Sequence, residues 1–148
     1  MARRFVHEHL PYLLARASHA LWRGFEPTLR AAGINSLEWR VLATLADGDP
    51  LPVGRLALEV LAKQPTVTKT LDRMAAQGLV ERRADAADAR RSLVALTPAG
   101  RRKVAPLLKA AQAHGQERLA ALAVHDADAL RASLLALVQH YDASETAD

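Results

Sequence analysis

The most constraining stretch of this chain is QPTVTKTLDRMAAQGLVERR, which joins the signals of a helix and of a strand without a linker between them. An early proline favours a first helical turn, and Val67, Leu71 and Met74 repeat at the i, i+4, i+7 spacing of one apolar helical stripe. Gly78 then predicts the end of the helix. The stretch therefore predicts a helix with a polar outer face, followed directly by a strand.

A second helix and a hairpin flank this stretch. Pro52 can open a short amphipathic helix, so the pattern predicts two helices separated by a tight turn within residues 52–77. Beyond Gly78, LVERR and SLVALT are typical of short strands, and ADAADAR between them has the length of a hairpin link. Two helices followed by a β-hairpin are the order of a winged helix-turn-helix.

Helical patterns also precede this unit. Apolar residues recur at helical spacing from Leu10 to about Ala31, and Pro27 predicts a kink or a break, so this segment is one helix or two in tandem. Ser36 is the predicted cap of a further helix, which ends at DGDP.

Two more helices are predicted after the hairpin. Thr97 and Pro98 supply a capping hydroxyl and a first-turn proline for a long helix that extends as far as Leu122, and a last helix begins near His125 or Asp126. Amphipathic helices at both ends of a chain indicate either a wider monomer core or a dimer interface. We favour the interface because a palindromic DNA site requires a two-fold partner. The predicted fold class is mainly α with a small β-hairpin wing, flanked by N- and C-terminal dimerisation helices.

The charge is unevenly distributed along the chain. Residues 55–109 carry twelve basic and five acidic side chains, whereas residues 110–148 carry two basic and six acidic ones. A positive field in the central third indicates a polyanionic partner, although long arginine side chains can also do no more than solvate helices.

Composition excludes several classes of function. The chain has no cysteine, so disulfides, thiolate metal sites and cysteine nucleophiles are absent. There is no apolar span long enough for a membrane helix and no uninterrupted signal-peptide core, which predicts a cytoplasmic protein without a membrane partner. A glycine-rich phosphate loop, a nucleophile elbow and an HExxH motif are all missing, so neither an enzyme nor a bound cofactor is predicted.

The runs VLATL, VGRLALEV, QPTVTKTLDRMAAQGLVERR and DARRSLVALTPAG, in this order and spacing, resemble the MarR family of bacterial transcription regulators. The more specific part is the wing signature, an Asp followed two residues later by Arg and then by LTPAG. The resemblance covers the whole chain and implies a single domain over residues 1–148. Within it, residues 36–98 would form the DNA-binding lobe, and residues 1–32 and 99–148 would form the helical region that makes a homodimer.

The chain departs from the family pattern at two positions that could alter which bases are read. Gln64 stands near the cap of the recognition helix, where the family often has Ser, and Asp85 is a second acidic residue in the wing.

The resemblance implies that the helix from Pro65 to Gln77 lies in a major groove of double-stranded DNA. The residues placed to approach base edges or their flanking phosphates are Gln64, Thr66, Thr68 and Lys69. The predicted phosphate contacts are Arg55, Arg73, Arg82, Arg83 and Arg91. For any of these arginines the plain alternative is a solvated charge.

By the family's pattern, Arg90 at the wing tip enters an adjacent minor groove, and Asp88 holds the Arg90 guanidinium by a paired hydrogen bond. In a two-fold dimer the two recognition helices would be roughly 34 Å apart, which predicts a pseudo-palindromic operator.

Members of this family commonly respond to small aromatic or phenolic anions, so the resemblance also implies a repressor that a ligand releases. The residues that could line such a crevice are Arg16, His19, Trp22 and Trp39. The alternative assigns Trp39 to the core, Trp22 to an interface and His19 to the surface.

Two other functions stay open. A metal-responsive regulator would rest on six histidines, chiefly those in the HEH run, but His7 and His9 lie on different faces of a helix and no thiolate supports them, so no metal site is assigned. A winged-helix module that binds protein instead of DNA is the second alternative, and the concentration of positive charge in the centre of the chain favours DNA.

Overall fold

The structure is a computed structural model that describes residues 4–88, 90–121 and 126–145, the last five of these as backbone alone. Within these residues the fold is mainly helical with one small antiparallel sheet, as predicted. The chain divides into two compact units, residues 1–113 and residues 114–148. None of the described helices is long and apolar enough to span a bilayer.

The first unit begins with a short 3₁₀ turn at Phe5–His7 and the helix α1, Leu10–Ala31. The predicted kink or break at Pro27 does not end the helix, which runs on for another turn to Ala31. Gly33, two residues later, has φ +68°. One missing backbone donor is a small loss where Phe25 and Leu29 are buried on either side of it.

The helix α2, Ser36–Ala46, is capped by Asn35 and not by the predicted Ser36. Asn35 has extended backbone angles, with φ −89° and ψ 174°, and its side chain accepts hydrogen bonds from the backbone N–H groups of Leu37 and Glu38. Glu38 completes a capping box by accepting from the Asn35 N–H at 2.9 Å. Ser36 is therefore already the first helical residue.

The helix-turn-helix consists of α3, Val53–Glu59, and α4, Gln64–Ala76. The turn between them contains Leu61 at φ +53°, a left-handed conformation that is strained for a residue with a side chain. At the other end of α4, Gly78 adopts φ +71° and ends the helix, as the sequence predicts.

The predicted hairpin is confirmed, and a third strand joins it. The strands β2, Val80–Ala84, and β3, Ser92–Leu96, pair antiparallel, with Val80 opposite Leu96 and Ala84 opposite Ser92. The additional strand β1, Leu51–Pro52, pairs with the other edge of β3, so the sheet order is β1-β3-β2. A two-residue strand has no periodicity by which a sequence could reveal it.

The helix α5, Pro98–Ala121, starts at a joint with the base of the hairpin. Thr97 Oγ1 accepts a hydrogen bond from the Gly100 N–H at 3.0 Å, which confirms the predicted cap. The same hydroxyl donates to the Gly78 carbonyl oxygen at 2.6 Å, and the Thr97 N–H donates to the Leu79 carbonyl oxygen at 3.1 Å. Thr97 thus fastens the end of α4, the start of β2 and the start of α5 together.

The core of the first unit draws on every helix and on the sheet. Its fully buried side chains include Leu29, Leu42, Leu56, Leu71, Met74, Val94 and Val104. Each such side chain contributes about 1.5–3 kcal/mol by leaving water, which is enough to hold short helices that would not be stable alone.

The helix α6, Ala127–Glu145, belongs to the second unit. Asp126 caps it by accepting a hydrogen bond from the Ala129 N–H at 2.8 Å. Its described side chains beyond Ala127 are exposed, and the large apolar ones among them are Leu130, Leu134, Leu135, Leu137 and Val138. The predicted end of α5 at Leu122 and the alternative start of α6 at His125 lie outside the described residues.

Candidate nucleic-acid interface and ligand groove

The polar face of α4 is turned toward solvent because its apolar stripe is buried. Val67, Leu71 and Met74 are each at most 1 % exposed, which fixes the rotation of the helix about its axis. The predicted base-contacting residues Gln64, Thr66 and Lys69 are exposed, and Thr68 is half-buried.

Arg73, a predicted phosphate contact, is bound to α2. Its Nε donates to Glu38 Oε1 at 3.0 Å, and its Nη2 lies 3.0 Å from the same oxygen. Glu38 is buried, whereas about half of the Arg73 side chain is exposed. The Arg73 guanidinium therefore already has an anionic partner within the protein.

Three more of the predicted phosphate contacts are also in ion pairs. Arg82 Nη2 lies 2.8 Å from Asp72 Oδ1, so this pair joins β2 to α4. Arg83 Nε donates to Glu81 Oε1 at 2.7 Å along β2. Arg55 Nη2 lies 2.7 Å from Glu59 Oε1 on α3. Exposed pairs of this kind are worth only about 0–1 kcal/mol, so a phosphate can replace the carboxylate.

The wing link is organised by two aspartates. Asp88 Oδ1 accepts from the Arg90 backbone N–H at 2.9 Å, and Asp85 Oδ1 accepts from the Ala87 backbone N–H at 2.9 Å. The expected bond from Asp88 to the Arg90 guanidinium is thus replaced by a bond to the Arg90 backbone. A carboxylate two residues before a backbone donor closes a local turn without ordering a long side chain.

Three of the predicted DNA-contacting cations lack an internal ion pair within the described part of the chain. These are Lys69 on α4 and the wing residues Arg90 and Arg91, all of which are exposed. Sequence spacing can suggest the pairs within one element, Arg55 with Glu59 and Arg83 with Glu81. It cannot reveal the pairs of Arg73 and Arg82, because their carboxylates lie on other elements.

Two grooves lie beside the start of α2. The first has a volume of about 380 Å³, and its lining includes Trp22, Asn35 and Ser36. The second has a volume of about 340 Å³ and is lined by Ser18, Trp22, Ser36, Arg40 and Leu61.

Arg40 is the cationic residue of the second groove. Its Nε is buried and has no hydrogen-bond partner among the described residues. The guanidinium would supply a charge-assisted hydrogen bond to an anionic oxygen in the groove. Trp22 provides an aromatic wall and Ser18 and Ser36 provide hydroxyls, so the groove has the chemistry to hold a flat anion.

Of the four predicted ligand residues, only Trp22 lines these two grooves. Arg16 Nη1 donates to the Tyr12 hydroxyl at 3.2 Å, and its guanidinium carbon lies 5.9 Å from the Tyr12 ring centroid. Trp39 packs edge-on against Phe25, with ring centroids 5.3 Å apart. His19 is exposed. Sequence reasoning missed Arg40, for which residue type and helical spacing carry no signal of an unpaired donor.

The histidines that the structure describes do not form a metal site. Within residues 4–88, 90–121 and 126–140, no group of three His, Asp or Glu side chains could hold a metal ion. His125 lies outside the described residues.

This architecture matches that of known transcription regulators. The MarR family model matches residues 32–91, which contain the helix-turn-helix and most of the wing. A MarR family transcriptional regulator from Silicibacter pomeroyi DSS-3 is 40 % identical and superposes with a TM-score of 0.83 over 94 % of this chain and 99 % of its own. The chain belongs to the MarR family of transcriptional regulators.

Two further proteins are similar to this chain. The homoprotocatechuate degradative operon repressor of Escherichia coli is 28 % identical over 95 residues, which are 64 % of each protein, so the match spans less than two thirds of this curated relative. The structure of NadR in complex with 4-hydroxyphenylacetate is 26 % identical, with a TM-score of 0.81 over 93 % of this chain and 97 % of NadR.

Proposed function

We propose that this MarR family member is a repressor that binds double-stranded DNA as a homodimer and that a small aromatic anion releases it. The observation that carries the proposal is the set of three exposed cations that have no ion pair among the described residues, Lys69 on the polar outer face of α4 and Arg90 and Arg91 on the wing. A positive surface next to an exposed helix face attracts phosphates and admits base edges.

In the proposed complex, α4 lies in the major groove. Gln64 and Thr66 are exposed near its N-terminus, where a recognition helix approaches base edges, and Lys69 follows one turn later. Arg90 would enter the adjacent minor groove, held there by the Asp88 turn, which fixes the backbone and leaves the guanidinium free.

The paired arginines have a different role in this proposal. Arg55, Arg82 and Arg83 would exchange a carboxylate for a phosphate, so each would contribute less to DNA affinity than an unpaired cation does. Arg73, paired with the buried Glu38, would contribute least to phosphate binding.

Exposed apolar side chains in two segments support the proposed homodimer. In the N-terminal segment Phe5, Leu10 and Leu13 are exposed, and α6 exposes a row of leucines. Exposed apolar surface of this extent marks an interaction site. A two-fold dimer would place two copies of α4 roughly 34 Å apart, so the operator would be a pseudo-palindrome.

We assign the effector to the groove that contains Arg40. The Arg40 guanidinium would bind a carboxylate, and the Trp22 indole would contact an aromatic ring. The named relatives support this chemistry, since one represses an operon that degrades an aromatic acid and the other is complexed with 4-hydroxyphenylacetate. An effector releases DNA only if it binds the DNA-incompetent dimer more tightly.

The proposal is tested by selecting duplexes from a random-sequence pool and titrating the selected duplex at several salt concentrations. A DNA-binding repressor yields a pseudo-palindromic site, with log K falling linearly against log salt. A scrambled duplex of the same composition is the control for specificity. Failure to select any duplex at low salt would instead support the module that binds protein.

A further inference from the structure

Glu38 is the only charged side chain in the buried core of the described residues, with 6 % of its surface exposed. Its Oε2 accepts from the Asn35 backbone N–H at 2.9 Å and closes the α2 capping box. Its Oε1 accepts from Arg73 Nε and lies 3.0 Å from Arg73 Nη2. One carboxylate therefore joins the start of α2 to the last turn of α4.

The start of α2 is also a wall of both grooves. Asn35 and Ser36 face Trp22 across the first groove, and Ser36 and Arg40 line the second. A ligand that widens or narrows either groove must displace the first turn of α2 or α1. The first turn of α2 cannot move freely, because withdrawing Glu38 from Arg73 would leave a buried carboxylate without its cation.

We propose that Glu38 and Arg73 are positioning residues that couple the grooves to the DNA-binding helix. Displacement of the α2 start pulls Arg73 and tilts α4, and a tilt of α4 displaces the α2 start in turn. Arg73 then acts on DNA through the orientation of α4 and not through a phosphate. This inference rests on the proposed DNA-binding function.

The coupling can be tested without knowing the effector, because coupling between two sites is reciprocal. If ligand in the groove changes DNA affinity, DNA must change the groove. Trp22 lines both grooves and reports on them by fluorescence, and Trp39→Phe makes Trp22 the only tryptophan. The measurement is acrylamide quenching of Trp22 with and without a saturating selected duplex.

The decisive variant is Glu38→Gln in the Trp39→Phe background. Glutamine is accepted in a capping box, so the α2 cap is kept while the charge that holds Arg73 is lost. We expect the duplex to change Trp22 quenching in the parent, and we expect that change to be lost in Glu38→Gln although the variant still binds DNA. Asp128→Asn removes one negative charge from an exposed ion pair on α6, and it should leave the change intact.

An equal DNA-induced change in Glu38→Gln, or no change in the parent, overturns the coupling. Arg73→Lys keeps the charge but cannot reproduce the contact through both Nε and Nη2, so it should reduce the DNA-induced change in Trp22 quenching. If Glu38→Gln does not give a folded circular dichroism spectrum, Arg73→Lys is the variant that tests the coupling. If the parent binds no duplex, the proposed DNA-binding function itself is refuted. This outcome differs from a failure of the coupling alone, in which DNA still binds.

Discussion

The Leu79 carbonyl oxygen lies where a side chain on residue 100 would stand, only 2.0 Å from the position of a Cβ built on Gly100. Gly100 belongs to the first turn of α5, and Leu79 immediately precedes β2. The helix and the hairpin can approach this closely only because residue 100 has no side chain. The obstacle is backbone, which cannot rotate away.

Gly100→Ala should therefore destabilise the protein by more than about 3 kcal/mol, since the start of α5 must leave its place on the sheet. Gly115→Ala is the matched control in the same helix. A Cβ at Gly115 meets nothing within 4 Å, and alanine in a helix interior is more stable than glycine by about 1 kcal/mol. Urea unfolding of both variants measures the two effects, and a loss smaller than 1 kcal/mol in Gly100→Ala would contradict the close approach.

Arg90→Ala should weaken binding of the selected duplex by about 1 kcal/mol or more and leave folding and dimerisation unchanged. The reason is that Arg90 is exposed on the wing, and its carboxylate neighbour Asp88 binds its backbone and not its guanidinium. Fluorescence anisotropy of a labelled duplex gives the affinity. Arg83→Ala is the control, because Arg83 is paired with Glu81 and should cost less. Equal losses would mean that internal pairing does not decide which arginines act.

Asp72→Asn should strengthen binding to all duplexes, including scrambled ones. Asp72 holds Arg82 in an ion pair at 2.8 Å, and its removal frees one cation for a phosphate. In the parent the phosphate only replaces Asp72, whose carboxylate then takes up a counterion. Without that carboxylate, the Arg82 contact should steepen the slope of log K against log salt by about 0.9. An unchanged slope, measured by titration of the scrambled duplex, would show that Arg82 does not reach DNA.

Arg40→Gln should abolish any release of DNA by 4-hydroxyphenylacetate without weakening DNA binding itself. Arg40 lines the groove, so a ligand carboxylate would gain a charge-assisted hydrogen bond from its guanidinium. The neutral alcohol analogue of the same compound, which lacks the carboxylate, is the matched ligand and should be ineffective on both proteins. If the ligand still releases DNA from Arg40→Gln, the effector does not bind in the groove that contains Arg40.

If the proposed dimer forms through α6, Leu134→Lys should reduce it to a species with the mass of one chain, because the substitution places a charge in the exposed apolar row of this helix. Sedimentation at micromolar concentration measures the mass. Arg131→Ala, a polar change on the same helix, is the control and should keep the dimer. A parent protein that sediments with the mass of one chain would contradict the interface that we assign to α6.

Local patterns were sufficient for most of the fold. The stripe of Val67, Leu71 and Met74 and the stop at Gly78 define α4, and Thr97 caps α5 as predicted. Asn35 and Ser36 are both good caps and are adjacent in sequence, so residue type alone does not distinguish them. The spacing of Asn35 and Glu38 does fit a capping box and is a signal that could have found the cap.

Local sequence patterns do not predict the ion-pair partners of Arg73 and Arg82. Glu38 and Arg73 are 35 residues apart, and Arg82 and Asp72 belong to a strand and a helix. Periodicity predicts which way a side chain points, but a contact between elements depends on how they pack. The exposed face of α4 could therefore be predicted, whereas the division of its cations into paired and unpaired ones could not.

The contacts of Thr97 and Gly100 show that the features by which the chain resembles its family differ from those that would choose its operator. The LTPAG run by which the chain resembles its family serves the attachment of α5 to the hairpin, through a hydroxyl and through the absence of a side chain. None of its atoms needs to touch DNA. A protein could keep this attachment of α5 while every residue on the outer face of α4 is exchanged. Membership of the family therefore does not determine which operator is bound.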